Sequence, residues 1–192
     1  MDQYEVLWAG FGGQGVMVAG QLLAYTGIKE GKNVVWLPSY GPEMRGGTAY
    51  CTVVISDSRI GSPIITNPRA ACVFNRPSFD KFTPRIKPGG LLLVNSSLID
   101  VTTDRDDITE VLVPANKMAI DAGSPKATNI AMLSTFVGAT GVVEYDNLLA
   151  TLEEKLGKKK DLLEINRKVL EAGFKLGKEA VKGKSAGRKV KA

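Results

Sequence analysis

The sequence predicts an α/β protein: a single three-layer α/β/α domain with a partly parallel sheet and a helical C-terminal end, spanning residues 1–182 and followed by a basic flexible tail at 183–192. Three observations predict it. The first 37 residues spell strand, glycine turn, helix, strand; short apolar runs recur from Thr48 to Val113; and beyond Gly123 the apolar spacing becomes helical. A length of 192 residues suits one hydrophobic core and is short for two.

Tyr4 to Ala9 is an apolar run ending directly in glycines, the pattern of a buried first strand. Val16, Val18, Ala19, Leu22, Leu23 and Ile28 then recur at helical spacing up to Gly31, a residue suited to stop a helix. Asn33 to Leu37 is β-branched and apolar, and Pro38 is expected to end it. Strand, helix, strand implies a right-handed crossover and two parallel strands in one sheet. Residues 38–47, PSYGPEMRGG, hold too many glycines and prolines for regular structure and form a specially shaped loop.

Thr48 to Ile55 is a clear strand, and a further extended piece is expected near Ile60 to Ile65. Ala70–Phe74 and Gly90–Val94 resemble buried strands, with a short helix from about Pro77 to Phe82 between them. Glu110–Val113 precedes Pro114, which suits the start of a helix reaching about Ala122. Thr128 or Asn129 is placed to cap an apolar helix containing Ile130, Ala131, Met132, Leu133, Phe136 and Val137, too apolar for an exposed surface. Asp146–Leu156 is a second C-terminal helix, and Leu162, Ile165, Val169, Ala172, Leu176 and Ala180 trace the apolar stripe of a third.

Composition excludes several chemistries. With no histidine and only Cys51 and Cys72, the chain lacks the ligands for a four-thiolate cluster or a structural zinc, and it has no Ser-His or Cys-His pair. Both cysteines sit in apolar runs and are expected to be buried small hydrophobes. No apolar run approaches a membrane span, and no secretory signal is visible, so a cytoplasmic protein is expected. Up to residue 150 there are 12 Lys and Arg against 14 Asp and Glu; beyond it, 13 against 6. The positive charge is therefore a property of the C-terminal end rather than of a nucleic-acid-binding face. There, Glu153, Glu154, Glu164 and Glu171 interleave with lysines as on a solvated amphipathic helix; attraction of an anionic partner is the alternative.

Two segments carry candidate chemistry. In GFGGQG, residues 10–15, the glycines let a backbone approach a ligand, and the following helix N-terminus favours an anion. Gly10, Gly12 and Gly15 fit the dinucleotide spacing, but Trp36, Leu37 and Pro38 stand where a nicotinamide site would need an acidic residue for the ribose. A nicotinamide-binding oxidoreductase is thereby disfavoured, and a tight packing turn stays open. Gln14 places an amide at the helix start, for a ligand or for the neighbouring loop. The second segment, SYGPEMRGG, lies at the same carboxyl edge of the sheet, where Glu43 and Arg45 either contact a ligand or subunit or form a loop salt bridge or capping pair.

Together GFGGQGV at 10–16, YGPEMRGGTAYCTVVISDSRIGSP at 40–63 and KATNIAMLSTFVGA at 126–139 resemble the gamma subunit of 2-oxoacid:ferredoxin oxidoreductases, over about the first 180 residues. The resemblance is nearest to the 2-oxoglutarate type, with the 2-ketoisovalerate type as neighbour. It implies a subunit, inactive alone, of an enzyme converting a 2-oxoacid, coenzyme A and oxidised ferredoxin to acyl-CoA, CO2 and reduced ferredoxin. It further implies alpha and beta partners, with delta as a possible fourth, and thiamine diphosphate, Mg and an iron–sulfur cluster on those partners. No cofactor is expected on this chain alone, and neither nucleic acid nor membrane is an expected partner; coenzyme A is the implied ligand. Gly12, Gly13, Gln14 and Gly15 match the first motif, Gly41, Pro42, Glu43, Arg45, Gly46 and Gly47 the second, and Asn129 the third, as ligand or subunit-interface candidates. No catalytic residue is assigned. Ser134 and Thr135 depart from the family, which often has a glycine there. A non-catalytic assembly module is the alternative role.

Overall fold

The computed structural model describes residues 3–39, 48–157 and 160–182. Six strands, β1 (Tyr4–Phe11), β2 (Asn33–Ser39), β3 (Thr48–Ser56), β4 (Ala70–Val73), β5 (Leu91–Asn95) and β6 (Thr109–Val113), form one sheet in the order β2-β3-β1-β4-β5-β6. Around it stand α1 (Val16–Lys29), α2 (Arg76–Phe82), α3 (Ala115–Asp121), α4 (Thr128–Thr140), α5 (Tyr145–Leu156) and α6 (Lys160–Lys182). β1, β4, β5 and β6 pair in parallel, whereas β3 is antiparallel to both β1 and β2. The sheet is mixed, in agreement with the sequence expectation of a partly parallel one.

The expected crossover is present with a difference: β2 runs parallel to β1, but β3 lies between them. Burial explains the placement. In β3, Cys51, Val53 and Ile55 on one face and Val54 on the other are all within 1% of complete burial, which requires neighbours on both sides. β2 is half-exposed along its length and takes the edge. That is also why Pro38 does not stop it: an edge strand tolerates a missing donor, and β2 continues through Pro38, opposite Cys51, to Ser39.

The larger core lies on the face carrying Val6, Trp8, Cys51, Cys72 and Leu93, under α1, α3, α4, α5 and α6. Trp8 meets Phe136 of α4 edge-on at 5.4 Å. On the other face a thinner layer of Leu7, Ala9, Val73 and Val94 is covered by Phe79 and Phe82 of α2 with Ile86, Ile99 and Ile108. The three layers are thus unequal.

α6 is more than a solvated helix. It does bury Val169 and Ala180 as its stripe predicts, but Ala172 is exposed, and Leu170, Gly173 and Gly177 are buried instead. A Cβ at Gly173 would collide with Ser134 Oγ, and one at Gly177 with the Thr135 carbonyl, so the two helices approach almost backbone to backbone. Ser134 and Thr135, fully buried, return their own hydroxyls to the Ala131 carbonyl. The polar side of α6 is tied to α5 by the Arg167–Glu153 pair at 2.6 Å and carries a Lys168–Glu164 pair at 2.9 Å within the helix.

Two local expectations fail. Residues 60–65 form no strand, because Gly61 and Pro63 leave neither the side-chain run nor the donors a ladder needs. α4 is not capped by Thr128 or Asn129. A 3-10 turn, Pro125–Ala127, leads into it; Ser124 caps that turn, accepting from Lys126 N, and Thr128 donates back to the Pro125 carbonyl. No helix among the described residues is long and apolar enough to cross a membrane.

Candidate functional site

β1 delivers the chain to the carboxyl edge of the sheet, where Gly12 to Gly15 reverse it into α1. Gly13 (φ 90) and Gly15 (φ 77) are left-handed, a conformation that costs an L-residue about 1–2 kcal/mol, so glycine is needed at both. At Gly10 the requirement is space: a Cβ there would stand 2.6 Å from Gln14 Oε1 and 2.9 Å from the Phe74 Cβ. The close-packing role of the glycines is therefore real. It coexists with a helix N-terminus that has no side-chain cap and no acidic residue in its first turn.

Gln14 serves the neighbouring loop. Its Oε1 accepts from Phe11 N at 2.7 Å and from Asn75 Nδ2 at 3.4 Å, and its Nε2 donates to the Phe74 carbonyl at 3.4 Å. Asn129, at the start of α4, donates from Nδ2 to the Gly15 carbonyl at 3.3 Å and clamps the turn across the cleft. The sequence singled out both residues, and the fold brings them together with Gly13 and Gly15 on one wall and floor of a cleft of about 450 Å³. Gly12 is exposed at the tip of the turn. Gly41, Pro42, Glu43, Arg45, Gly46 and Gly47 lie outside the described residues; the strand ends that bracket them, Ser39 and Thr48, are at this same edge, Thr48 pairing with Phe11.

Sequence reasoning missed three asparagines, two at the ends of neighbouring strands and one on the helix that follows the next. Asn75, just after β4, caps α2 by accepting from Ser78 N at 2.9 Å. Asn95 closes β5; fully buried, it donates from Nδ2 to Asn116 Oδ1 at 2.8 Å, while its own Oδ1 has no hydrogen-bond partner. Asn116, on the first turn of α3, lines the cleft, as does Lys126. The available signal was an asparagine closing each buried apolar run: Phe74-Asn75, Val94-Asn95, Pro114-Ala115-Asn116. Ligands of open α/β sheets bind at this carboxyl edge.

The nine residues lining the cleft include no acid and one charge, Lys126. Such a set of amides, helix-terminal N–H groups and one ammonium suits an anionic group; it holds no proton donor or acceptor suited to general acid–base work near neutral pH. The cysteines lie elsewhere, flanking Trp8 on the sheet. Both are completely buried, as expected, and burial pushes the Cys51 thiol up to about 12 and the Cys72 thiol well above its ordinary range, leaving neither as a nucleophile.

The family model described as pyruvate ferredoxin/flavodoxin oxidoreductase matches residues 5–176, which includes β1 through most of α6 and every described wall of the cleft. The chain belongs to that family. The oxidoreductase family match is joined by similarity to individual proteins. Subunit VorA of the ketoisovalerate oxidoreductase of Methanothermobacter marburgensis is 37% identical over 94% of this chain, and subunit KorC of the 2-oxoglutarate synthase of Methanocaldococcus jannaschii is 32% identical over 91%. The chain spans 38% of the length of VorA and 94% of that of KorC. The crystal structure of the gamma subunit of a keto/oxoacid ferredoxin oxidoreductase from Geobacter sulfurreducens superposes with a TM-score of 0.80 at 30% identity, covering 92% of this chain and 99% of that one.

Proposed function

We propose that the chain is the gamma component of a cytoplasmic 2-oxoacid:ferredoxin oxidoreductase and contributes the wall of the active site that receives coenzyme A. The observation that supports this most directly is co-extension: the KorC and gamma-subunit relatives are matched over 94 and 99% of their lengths, in one uninterrupted domain order. In the overall reaction the bond between the carboxylate and the oxo carbon of the 2-oxoacid breaks and CO2 leaves. The remaining acyl carbon is oxidised, its two electrons passing one at a time to oxidised ferredoxin, and the coenzyme A sulfur takes the acyl group as the thiol proton is released. Thiamine diphosphate with Mg supplies carbanion stabilisation and iron–sulfur clusters supply electron transfer, on alpha and beta subunits, with delta as a possible fourth.

This chain's part is binding. The uncapped start of α1 and the glycine turn offer backbone N–H groups to the phosphates of coenzyme A, and Asn129 holds the turn in shape. Exposed Phe11 and Val18 at the rim suit a surface covered by a partner subunit. We place 2-oxoglutarate ahead of 2-oxoisovalerate as substrate, because the motifs at 10–16, 40–63 and 126–139 resemble the 2-oxoglutarate type most nearly and KorC subunits recur among the relatives.

Co-expression with candidate alpha and beta subunits, affinity purification through this chain and assay of coenzyme A-dependent ferredoxin reduction tests the reading. Expected are a stable complex and turnover of 2-oxoglutarate in preference to 2-oxoisovalerate. Failure to assemble, or ferredoxin reduction indifferent to the presence of this chain, refutes the catalytic role. Assembly with full activity after Gly13 and Gln14 are replaced would leave only an assembly role.

A further inference from the structure

At the opposite edge of the sheet from the cleft, the amino ends of the parallel strands surround a second cavity, of about 240 Å³. Tyr4 opens β1, Arg69 precedes β4, Leu91 opens β5 and Thr109 opens β6; Val181, in the last turn of α6, completes the ring. Tyr4 is nine-tenths buried, edge-on to Phe136, yet it lines this cavity. Its hydroxyl and that of Thr109 have no hydrogen-bond partner among the described residues, and the Arg69 guanidinium has no carboxylate there. Arg69 lies over the Tyr4 ring at 4.9 Å, a contact that steadies the guanidinium while leaving its N–H donors unpaired. Leu91 N donates to the Arg69 carbonyl at 3.0 Å and fixes its backbone between β4 and β5. Burial, opposed by Arg69, pushes the Tyr4 phenol above its ordinary ionisation range, so it stays a donor at neutral pH. No acid lines the cavity among the described residues.

We propose that this cavity is an anchor socket for a partner subunit: Arg69 and the Tyr4 and Thr109 hydroxyls receive the carboxylate of an Asp or Glu side chain of the alpha or beta subunit, and Val181 packs against its apolar stem. Donors that converge with no acid of their own fit a carboxylate, and a guanidinium matches its planar pair of oxygens. Size favours a side chain over a free ligand, since small-molecule sites run to about 300–1,000 Å³. Connectivity favours a partner subunit as the source. β1 begins and α6 ends at this cavity, so both ends of the domain open on the same edge. VorA matches 94% of this chain over 183 residues, within 38% of its own length. That alignment has no room for a large insertion, so the remainder of VorA joins the domain at one end or both, and hence at this edge. What VorA attaches covalently is, for a chain of KorC length, a separate subunit held by contacts. Val181, 41% exposed, offers apolar surface to an interface, and Lys178 and Lys182 on the final turns of α6 outnumber Glu179 and favour an acidic partner. That this chain is a subunit of such a complex rests on the function proposed above; the carboxylate chemistry of the socket comes from its own side chains.

The test uses the chain co-expressed with its alpha and beta partners. Arg69→Ala is expected to weaken the affinity of the chain for the complex about thirtyfold or more, as when one member of a desolvated charge pair is removed, and Arg69→Lys to recover part of the loss. Tyr4→Phe keeps the buried ring and removes only the hydroxyl, and Thr109→Val does the same for its site; each should weaken the affinity about tenfold. The isolated variants should melt within about 4 °C of the parent, which separates lost docking from lost folding. With the chain in excess, the KM values for coenzyme A and the 2-oxoacid should not change. Benzoylphenylalanine in place of Val181 should crosslink, on illumination of the purified complex, to an alpha- or beta-subunit peptide that holds an Asp or Glu. Affinities of Arg69→Ala and Tyr4→Phe within about twofold of the parent overturn the proposal and leave the functional assignment intact. A parent chain that joins no complex overturns both. A crosslink to a second copy of this chain overturns the proposal in favour of self-association. Calorimetric binding of succinate to the isolated parent chain, abolished in Arg69→Ala, overturns it in favour of a free carboxylate ligand.

Discussion

Replacing Gly15 by alanine separates conformational strain from steric contact in the turn, because Gly13 provides a matched control. Both glycines are left-handed, at φ 77 and φ 90, so each substitution carries about 1–2 kcal/mol of backbone strain. The stiffer unfolded chain of the alanine variants adds about 0.5–1 kcal/mol to that difficulty in the opposite sense, as a gain. If nothing else acted, each variant would lose about 1 kcal/mol. A Cβ at Gly13 meets nothing within 4 Å, whereas one at Gly15 would stand 2.7 Å from Asn129 Nδ2, 2.9 Å from its Cγ and 3.0 Å from its Cβ. Asn129 cannot swing aside, being 7% exposed on the first turn of α4, so overpacking adds about 1–3 kcal/mol. Gly15→Ala is therefore expected to lose about 2–4 kcal/mol and Gly13→Ala about 1. At roughly 2–4 °C per kcal/mol for a chain of this size, the melting temperatures should fall by about 4–16 °C and 2–4 °C. Urea unfolding of the two variants, and of Gly15→Ala combined with Asn129→Ala, measures this. The double variant should lose less than the sum of the singles, since Asn129→Ala removes the two nearest atoms. Equal losses in Gly13→Ala and Gly15→Ala would refute the contact between the turn and α4.

At the α4–α6 contact, Gly177→Ala drives a Cβ into the Thr135 carbonyl and to 2.7 Å from Ala139 N, both backbone; a loss of about 1–3 kcal/mol in urea unfolding is expected despite alanine's better helix propensity, and a stabilised variant would disprove the close approach. Stability should also fall at alkaline pH. The Cys51 and Cys72 thiols are held protonated by burial in the fold, Cys51 up to about 12, while an unfolded thiol ionises near its ordinary value of 9.0. The folded state thus binds more protons above pH 9, and each thiol removes about 1.4 kcal/mol per further pH unit until its folded value is reached; a flat stability profile from pH 9 to 11 would contradict this. Finally, Lys87→Met leaves the Glu5 carboxylate, 6% exposed, without its partner at 3.1 Å. Because Lys87 is itself 48% exposed, the expected loss is limited to about 1–2 kcal/mol, and Glu5→Gln in the same chain should recover part of it.

The elements that a single sequence displays are those whose burial is regular along the chain. α1, β4, β5, β6 and the C-terminal helices each repeat one period, and each was placed to within a few residues. What local pattern does not contain is the neighbour of each strand. Asn33 to Leu37 and Thr48 to Ile55 are equally β-branched and apolar, and nothing local says which becomes the edge; that is decided by whether both faces of a strand find cover, which for β3 requires side chains from β1 and β2 at once. The face of α6 was misjudged for a related reason. Helical periodicity counts large apolar residues, so Ala172 and Leu176 stood out and Gly173 and Gly177 did not, although the glycines let α6 approach α4 more closely than any side chain would.

The site was legible where it is made of backbone and obscure where it is made of amides. A glycine run between strand and helix announces a tight turn and an exposed helix N-terminus from composition alone, and Gln14 and Asn129 joined it through the family motifs. Asparagine, by contrast, is ambiguous in sequence: Asn75, a helix cap, and Asn95, a sealed orienting group, look alike as the residue that closes an apolar run. Only their hydrogen bonds tell them apart. Asn75 is satisfied on both of its polar atoms, by Ser78 N and by Gln14, whereas Asn95 leaves Oδ1 without a donor in a place that solvent does not reach. Through Nδ2, Asn95 ties the end of β5 to Asn116 of α3 and to the Phe74 carbonyl beside β4, a link that an apolar residue closing the strand would not make.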